Sequence, residues 1–244
     1  MKSSSRLLLL FAILLSCSTK KEGNMIVTGS VKGLKKGTLY LQRIQDSILV
    51  NADSIVVKGQ PTFKLSTTVT EPEVFYLYLD KVDQSDYDDR IEFFGEKGTI
   101  SIKSNLDHFQ RDAEVKGSKN QKLLKEYRTN AQKLNDQNLD LIKENFEAQK
   151  EGNEEKIFAL NAQYDNYLKR KYLYTINYAV NNADHEVAPY LALNEIFDAN
   201  LRFLDTIYTK LTPKVKESLY GKQLEKFIED RRDLELLKPQ DSIQ

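Results

Sequence analysis

The hydrophobic period of this chain changes once, at Ser118, and that change constrains the fold more than any other feature. From Met25 to Gly117 the apolar residues alternate. Ile26, Thr28 and Ser30 interleave with Val27, Gly29 and Val31, and Leu39-Tyr40-Leu41 follows the turn-forming stretch Gly33 to Gly37. Further short runs are Ser47 to Val50, Ser54 to Val57, Phe63 to Thr67, Val74 to Leu79, Arg90 to Phe94, Thr99 to Lys103 and Asp112 to Lys116. Their β-branched and aromatic residues suit a pleated, half-buried surface. Short strands this closely spaced predict an antiparallel β-sandwich or a partly open barrel over residues 25–117. From Ser118 onward the period becomes three to four. Leu124, Tyr127, Ala131, Leu134, Leu141 and Ile142 mark one helix, capped by Ser118 and stopped at Gly152-Asn153. Ile157, Leu160, Tyr164, Leu168, Tyr174 or Thr175, and Tyr178 mark a second, which makes a helical hairpin with Asn138 and Asn145 on or beside its seam. Shorter helices follow, with Pro189 near the start of one and Thr212-Pro213 opening another. Gly221 is placed between that helix and a last one over Lys222 to Leu237, and residues 238–244 form a polar tail. The fold class is therefore α+β, with a helical part over residues 118–237.

The first residues prescribe an address. Met1 to Arg6 carry two positive charges and no acid, and the unbroken apolar run Leu7 to Leu15 follows. That run is shorter than the ~20 residues that a permanent spanning helix needs. A basic start and a short apolar stretch are the marks of an export signal. The run ends in Leu14-Leu15-Ser16-Cys17, which resembles the lipobox of bacterial lipoproteins. The resemblance implies removal of residues 1–16 and acylation of Cys17, with two acyl chains enough for stable anchoring. Ser18, where an aspartate would retain the protein elsewhere, implies sorting to the outer membrane. Residues 17–24 then serve as a lipidated, polar tether. Cys17 is the only cysteine in the sequence, so the body of the protein has neither a disulfide nor a Cys-x-x-Cys pair. The 36 basic and 36 acidic residues balance, and loss of Lys2 and Arg6 leaves the remainder slightly acidic. That balance, like export, argues against nucleic acid as a partner.

The order of landmarks carries a second resemblance. Gly29, Gly33 and Gly37, Leu39-Tyr40-Leu41, Asp53-Ser54, Gly59 to Phe63 and Pro72 come first. Glu92 to Ile100 and Val115 to Asn120 follow, and then Val187 to Tyr190 and Leu211 to Gly221. Together they resemble an uncharacterised N-terminal domain of bacterial lipoproteins that precedes a thioredoxin-like redox domain of the peroxiredoxin type. The sequence reaches Gln244 before any such domain. The resemblance implies that redox activity lies outside these residues, and it brings no catalytic residue with it.

Among candidate sites, the stretch Asp80 to Asp89 holds the most oxygen ligands. Asp80, Asp83, Asp86, Asp88 and Asp89 could offer several to a hard cation, although the spacing lacks the glycine and closing glutamate of an EF-hand. A solvated loop is the plainer reading. A ligand groove is the second candidate. Tyr164, Tyr167, Tyr172, Tyr174, Tyr178 and Tyr190 could line one for sugar or peptide, although their helical spacing also fits core packing. His185-Glu186 begins like a zinc-protease helix, but proline holds position 189 where the second ligand belongs. No nucleophile elbow or phosphate loop occurs, and no cofactor is implied. These readings predict a non-enzymatic binding or scaffolding module in the envelope, beside a separate thiol-disulfide oxidoreductase. Its partners are the membrane, through lipid, and an envelope protein or saccharide. The alternative is an envelope hydrolase with a carboxylate pair that the sequence does not single out.

Overall fold

A computed structural model describes residues 23–81 and 89–237. Cys17, Asp83, Asp86 and Asp88 lie outside these residues, as does the predicted leader. Eight strands come first: β1 (Met25–Lys32), β2 (Lys36–Gln45), β3 (Ile48–Lys58), β4 (Thr62–Thr67), β5 (Glu73–Asp80), β6 (Arg90–Gly95), β7 (Gly98–Asn105) and β8 (Glu114–Lys116). Six helices follow: α1 (Lys119–Glu151), α2 (Glu154–Asn181), α3 (Val187–Glu195), α4 (Leu201–Lys210), α5 (Pro213–Lys216) and α6 (Leu219–Leu237).

The strands make two four-stranded sheets, ordered β4-β1-β7-β8 and β3-β2-β5-β6. Alternation decides which side chains meet between them. Met25, Val27 and Val31 of β1 and Ile100 and Ile102 of β7 face Leu39 and Leu41 of β2, Phe75, Leu77 and Leu79 of β5, and Phe93 of β6. Phe75 and Phe93 are wholly buried and stacked with centroids 6.1 Å apart. Burial of each such ring contributes about 2–3 kcal/mol. At one edge the Asp53 carboxylate accepts the Ser66 N–H at 2.8 Å and ties β3 of one sheet to β4 of the other.

Three expectations change. The sheets are mostly antiparallel, but β1 pairs parallel with β7 from Met25–Gly98 to Lys32–Asn105. The runs predicted at Ser47 to Val50 and Ser54 to Val57 are one strand, β3, with an irregularity opposite Leu41/Gln42 that absorbs the break in pattern. Gly221 lies inside α6 rather than before it. A Cβ at that position would sit 2.0 Å from the Val215 carbonyl oxygen, so the glycine serves close approach of α5 rather than termination.

The helical caps follow the sequence. Ser118 is extended and its Oγ accepts the Gln121 N–H at 3.0 Å. Gly152 takes a left-handed conformation, φ 65°, and returns its N–H to the last turn of α1. Thr212 precedes Pro213 at the first helical position of α5. The helices α1 and α2 form the predicted hairpin, but the seam asparagines do not bridge it. Asn138 Oδ1 lacks a partner, and Asn145 accepts from Gln149 of its own helix. Register comes instead from Tyr127 and Thr175, whose hydroxyls lie 2.7 Å apart, and from Arg170, which donates to Gln137 at 2.6 Å. The distal half of the hairpin has its own small core of Leu141, Ala148, Leu160 and Tyr167, which draws on α1 and α2 alone.

The two halves share a core. Val74 and Phe94 point from the outer face of the β2-β5-β6 sheet into Leu123, Leu124, Tyr127, Val187, Tyr190 and Leu191. Two glutamates finish the joint at the starts of helices, and a third ties α1 to α3 beside it. Glu96 accepts the Lys119 N–H at 2.6 Å, and Glu71 accepts the Leu219 N–H at 2.7 Å. Buried Glu186 accepts from Asn120, whose own oxygen accepts the Val187 N–H, both at 2.8 Å. Each carboxylate meets the positive end of a helix dipole, by contact or through Asn120. No helix among the described residues is long and apolar enough to cross a membrane.

Candidate ligand cleft

A concavity opens where one sheet splits. β2 pairs with β5 only as far as Arg43–Phe75, whereas β2 and β3 continue together to Gln45–Ile48. The β2–β3 hairpin therefore overhangs its sheet by a short tip. Asp46 and Ser47 make the tip turn, with φ of 49° and 66°. Two successive positive φ values twist a two-residue turn to match its strands, and aspartate tolerates that region better than most residues. On the other side of the split, the Val74 N–H donates to Tyr220 Oη of α6 at 2.9 Å. A helix side chain thus holds β5 at the place where β2 leaves it.

The resulting cleft encloses about 670 Å³ between the hairpin tip, the residues leading into β5, and one side of α3 and α6. That volume falls within the range of small-molecule and short-peptide sites. Its glutamates and its arginine are engaged. Arg43 donates to Glu73 at 3.1 Å, and Glu71 holds the start of α6. Glu92 accepts from Arg128 at 2.6 Å and from the Tyr190 hydroxyl at 3.2 Å. Burial pushes the Glu73 carboxyl above the usual carboxylate range, against the opposing pull of the Arg43 charge and hydrogen bond. Burial likewise raises the hydroxyls of Tyr76, Tyr190 and Tyr220, and the Glu92 charge adds to each. Phe94, Tyr190 and Tyr220 close the back of the cleft as an edge-to-face triangle with centroids 5.1–5.9 Å apart.

The predicted tyrosine groove is not one surface. Tyr190 lines the cleft. Tyr174 stacks on Tyr127 at 5.2 Å and donates to its carbonyl, and Tyr178 donates to the Leu123 carbonyl at 2.8 Å. Burial pushes the Tyr178 and Tyr172 hydroxyls up to about 12. Tyr167 is buried in the distal hairpin core. Tyr164 leans on it at 5.7 Å and lines a separate shallow groove with Asn138, Ile142 and Phe146. Of the predicted cation ligands, Asp80 is exposed at the end of β5 and Asp89 pairs with Lys81 at 2.5 Å. Among the described residues no group of three or more His, Cys, Asp or Glu residues is arranged to hold a metal. His185 pairs with Asp184 at 2.7 Å in the turn before α3.

Sequence reading named Tyr190 but missed Arg43, Glu71, Glu73, Tyr76, Glu92 and Tyr220. These residues come from separate segments, none of which carries a motif of its own. No curated protein and no solved structure matched the chain. Residues 25–124, which fold into the sandwich and the first turns of α1 and supply the sheet wall of the cleft, match the family described as a domain of unknown function, DUF4369.

Proposed function

We propose that this protein is a lipid-anchored, non-enzymatic binding module of the bacterial envelope, with the cleft as its ligand site. The observation that carries the reading is the engagement of the cleft's glutamates. Glu71 is spent on a helix start, Glu73 on Arg43 and Glu92 on Arg128 and Tyr190. A glycoside hydrolase that works through a carboxylate pair needs one carboxyl free to donate a proton and another free to attack or activate water. The cleft instead offers shape, aromatic surface and fixed charge. In this reading Cys17 carries the acyl chains, the tether holds the module at the outer membrane, and the ligand is an envelope protein or saccharide. Any thiol chemistry beside it belongs to a separate thiol-disulfide oxidoreductase, because the sole cysteine is the acylated one.

Two measurements test this. Mass spectrometry of the protein purified from membranes is expected to find an acylated peptide beginning at Cys17, and an unmodified cysteine there removes the anchor. Affinity capture from envelope extract is expected to retain a protein or saccharide that Asn194→Trp, placed to fill the cleft, releases. Equal capture by both proteins, or no capture by either, rules out the cleft as the site.

A further inference from the structure

The split that opens the cleft also leaves a strand edge uncovered. Pairing on the β5 side of β2 ends at Arg43, while Ile44 and Gln45 stay extended and paired with β3 on their other side. Among the described residues no strand covers that second edge. An open edge is a template for another chain, and proteins usually blunt one with lysine, proline or a covering loop. Here the residues around it are apolar and exposed: Ile44 by 52%, Ile48 by 65% and Leu49 by 37%. Ile44 and Leu49 are cross-strand partners, so they form one patch on the hairpin tip. The edge faces a cavity rather than bulk solvent, since Arg43 to Ser47 form one of its walls. The lining is acidic on balance: Asp46 on the tip and Glu71, Glu73 and Glu92 opposite it face the guanidinium of Arg43, with Arg128 held on Glu92.

We propose that the cleft receives an extended peptide bearing lysine or arginine, which adds as a strand to β2 through the free backbone N–H and C=O of Ile44, since those of Gln45 face Ile48 across the turn. The inference rests on the cleft being the ligand site and names what that site takes. Main-chain hydrogen bonds to β2 supply affinity that is independent of sequence, and alternate side chains supply selection. One set packs against Ile44 and Leu49. The other reaches the carboxylates, with Glu73 and Glu71 nearest the split. Val74 makes no competing demand on the edge, because its N–H is already donated to Tyr220. An acidic peptide meets repulsion at the same wall, so the site discriminates by charge as well as by shape.

The test uses the full chain in detergent and three capped pentapeptides: alternating valine and lysine, the same peptide N-methylated at alternate nitrogens, and alternating valine and glutamate. Calorimetry and amide chemical shifts are the readouts. The lysine peptide is expected to bind and to shift the amide of Ile44 most. N-methylation or the exchange of lysine for glutamate is expected to weaken binding by about tenfold or more, the loss of one or two hydrogen bonds or charge contacts. Glu73→Gln is expected to weaken the lysine peptide several-fold without altering the circular dichroism spectrum. Equal binding of the N-methylated peptide overturns strand addition. Binding of an N-acetylglucosamine oligomer without binding of any peptide overturns the inference and leaves the cleft as a ligand site. Silence towards every probe also overturns it, and the envelope capture experiment then judges the broader reading independently.

Discussion

At the scale of single residues, the cleft is a set of polar groups that each solve a structural problem. Tyr220 is the clearest case, since its hydroxyl accepts the Val74 N–H that the departing strand leaves behind. Tyr220→Phe removes that acceptor and is expected to cost about 1 kcal/mol by urea denaturation, near the low end for an unpaired donor because water in the cleft can reach it. Glu73 gives a pH signature. Its carboxyl titrates above the ordinary range, so the folded state holds a proton that the unfolded chain has already lost. Its contribution to stability is therefore complete below the unfolded value and is lost as pH rises through the folded one. Glu73→Gln is expected to flatten that part of the stability profile, and an unchanged slope in denaturation series across the acid range contradicts the assignment. Tyr178 behaves similarly at the alkaline end: its phenolate absorbance is expected to develop near 12 rather than with the exposed tyrosines.

At the scale of elements, caps and alternation were legible in the sequence because both are local. Ser118, Gly152 and Thr212-Pro213 each act within one turn of helix, and the period-two alternation of β1, β2 and β5 separates core-facing residues from the rest. Partner choice was not legible, because nothing in the alternation of β1 says that β7 lies beside it in parallel. Gly221 shows how a correct observation reached the wrong element. Glycine does end helices, but here it lets the end of α5 approach α6. Gly221→Ala sets about 1 kcal/mol of gained helix propensity against a Cβ driven into backbone. The clash dominates, since a carbonyl cannot rotate away as a side chain can, and a net loss of about 1–3 kcal/mol is expected in thermal or urea unfolding. The cleft was hidden for a related reason. Its walls come from the β2–β3 tip, the approach to β5 and two helices, and each segment read alone is ordinary.

At the scale of the whole molecule, stability is uneven. The sandwich and the helical body each hold a broad core, and the joint between them is sealed by Val74, Phe94, Glu71 and Glu96. The distal hairpin holds only a small core drawn from its own two helices, with Leu139, Ile142, Phe146 and Phe158 exposed on it. Hydrogen exchange is expected to show the amides of residues 134–168 opening well before those of β1, β2 and β5, at unchanged global stability. Uniform protection across both regions would show instead that the hairpin opens only with the body. The parallel β1–β7 pair has a consequence of another kind. The first strand made is an inner strand, flanked by β4 on one side and by the seventh strand on the other. Its sheet stays incomplete until most of the sandwich sequence has emerged, and pairings so distant along the chain form slowly. β1 can therefore pair with β4 early, but its other edge stays open until β7 has been made, so the sandwich closes only after the seventh strand is in place.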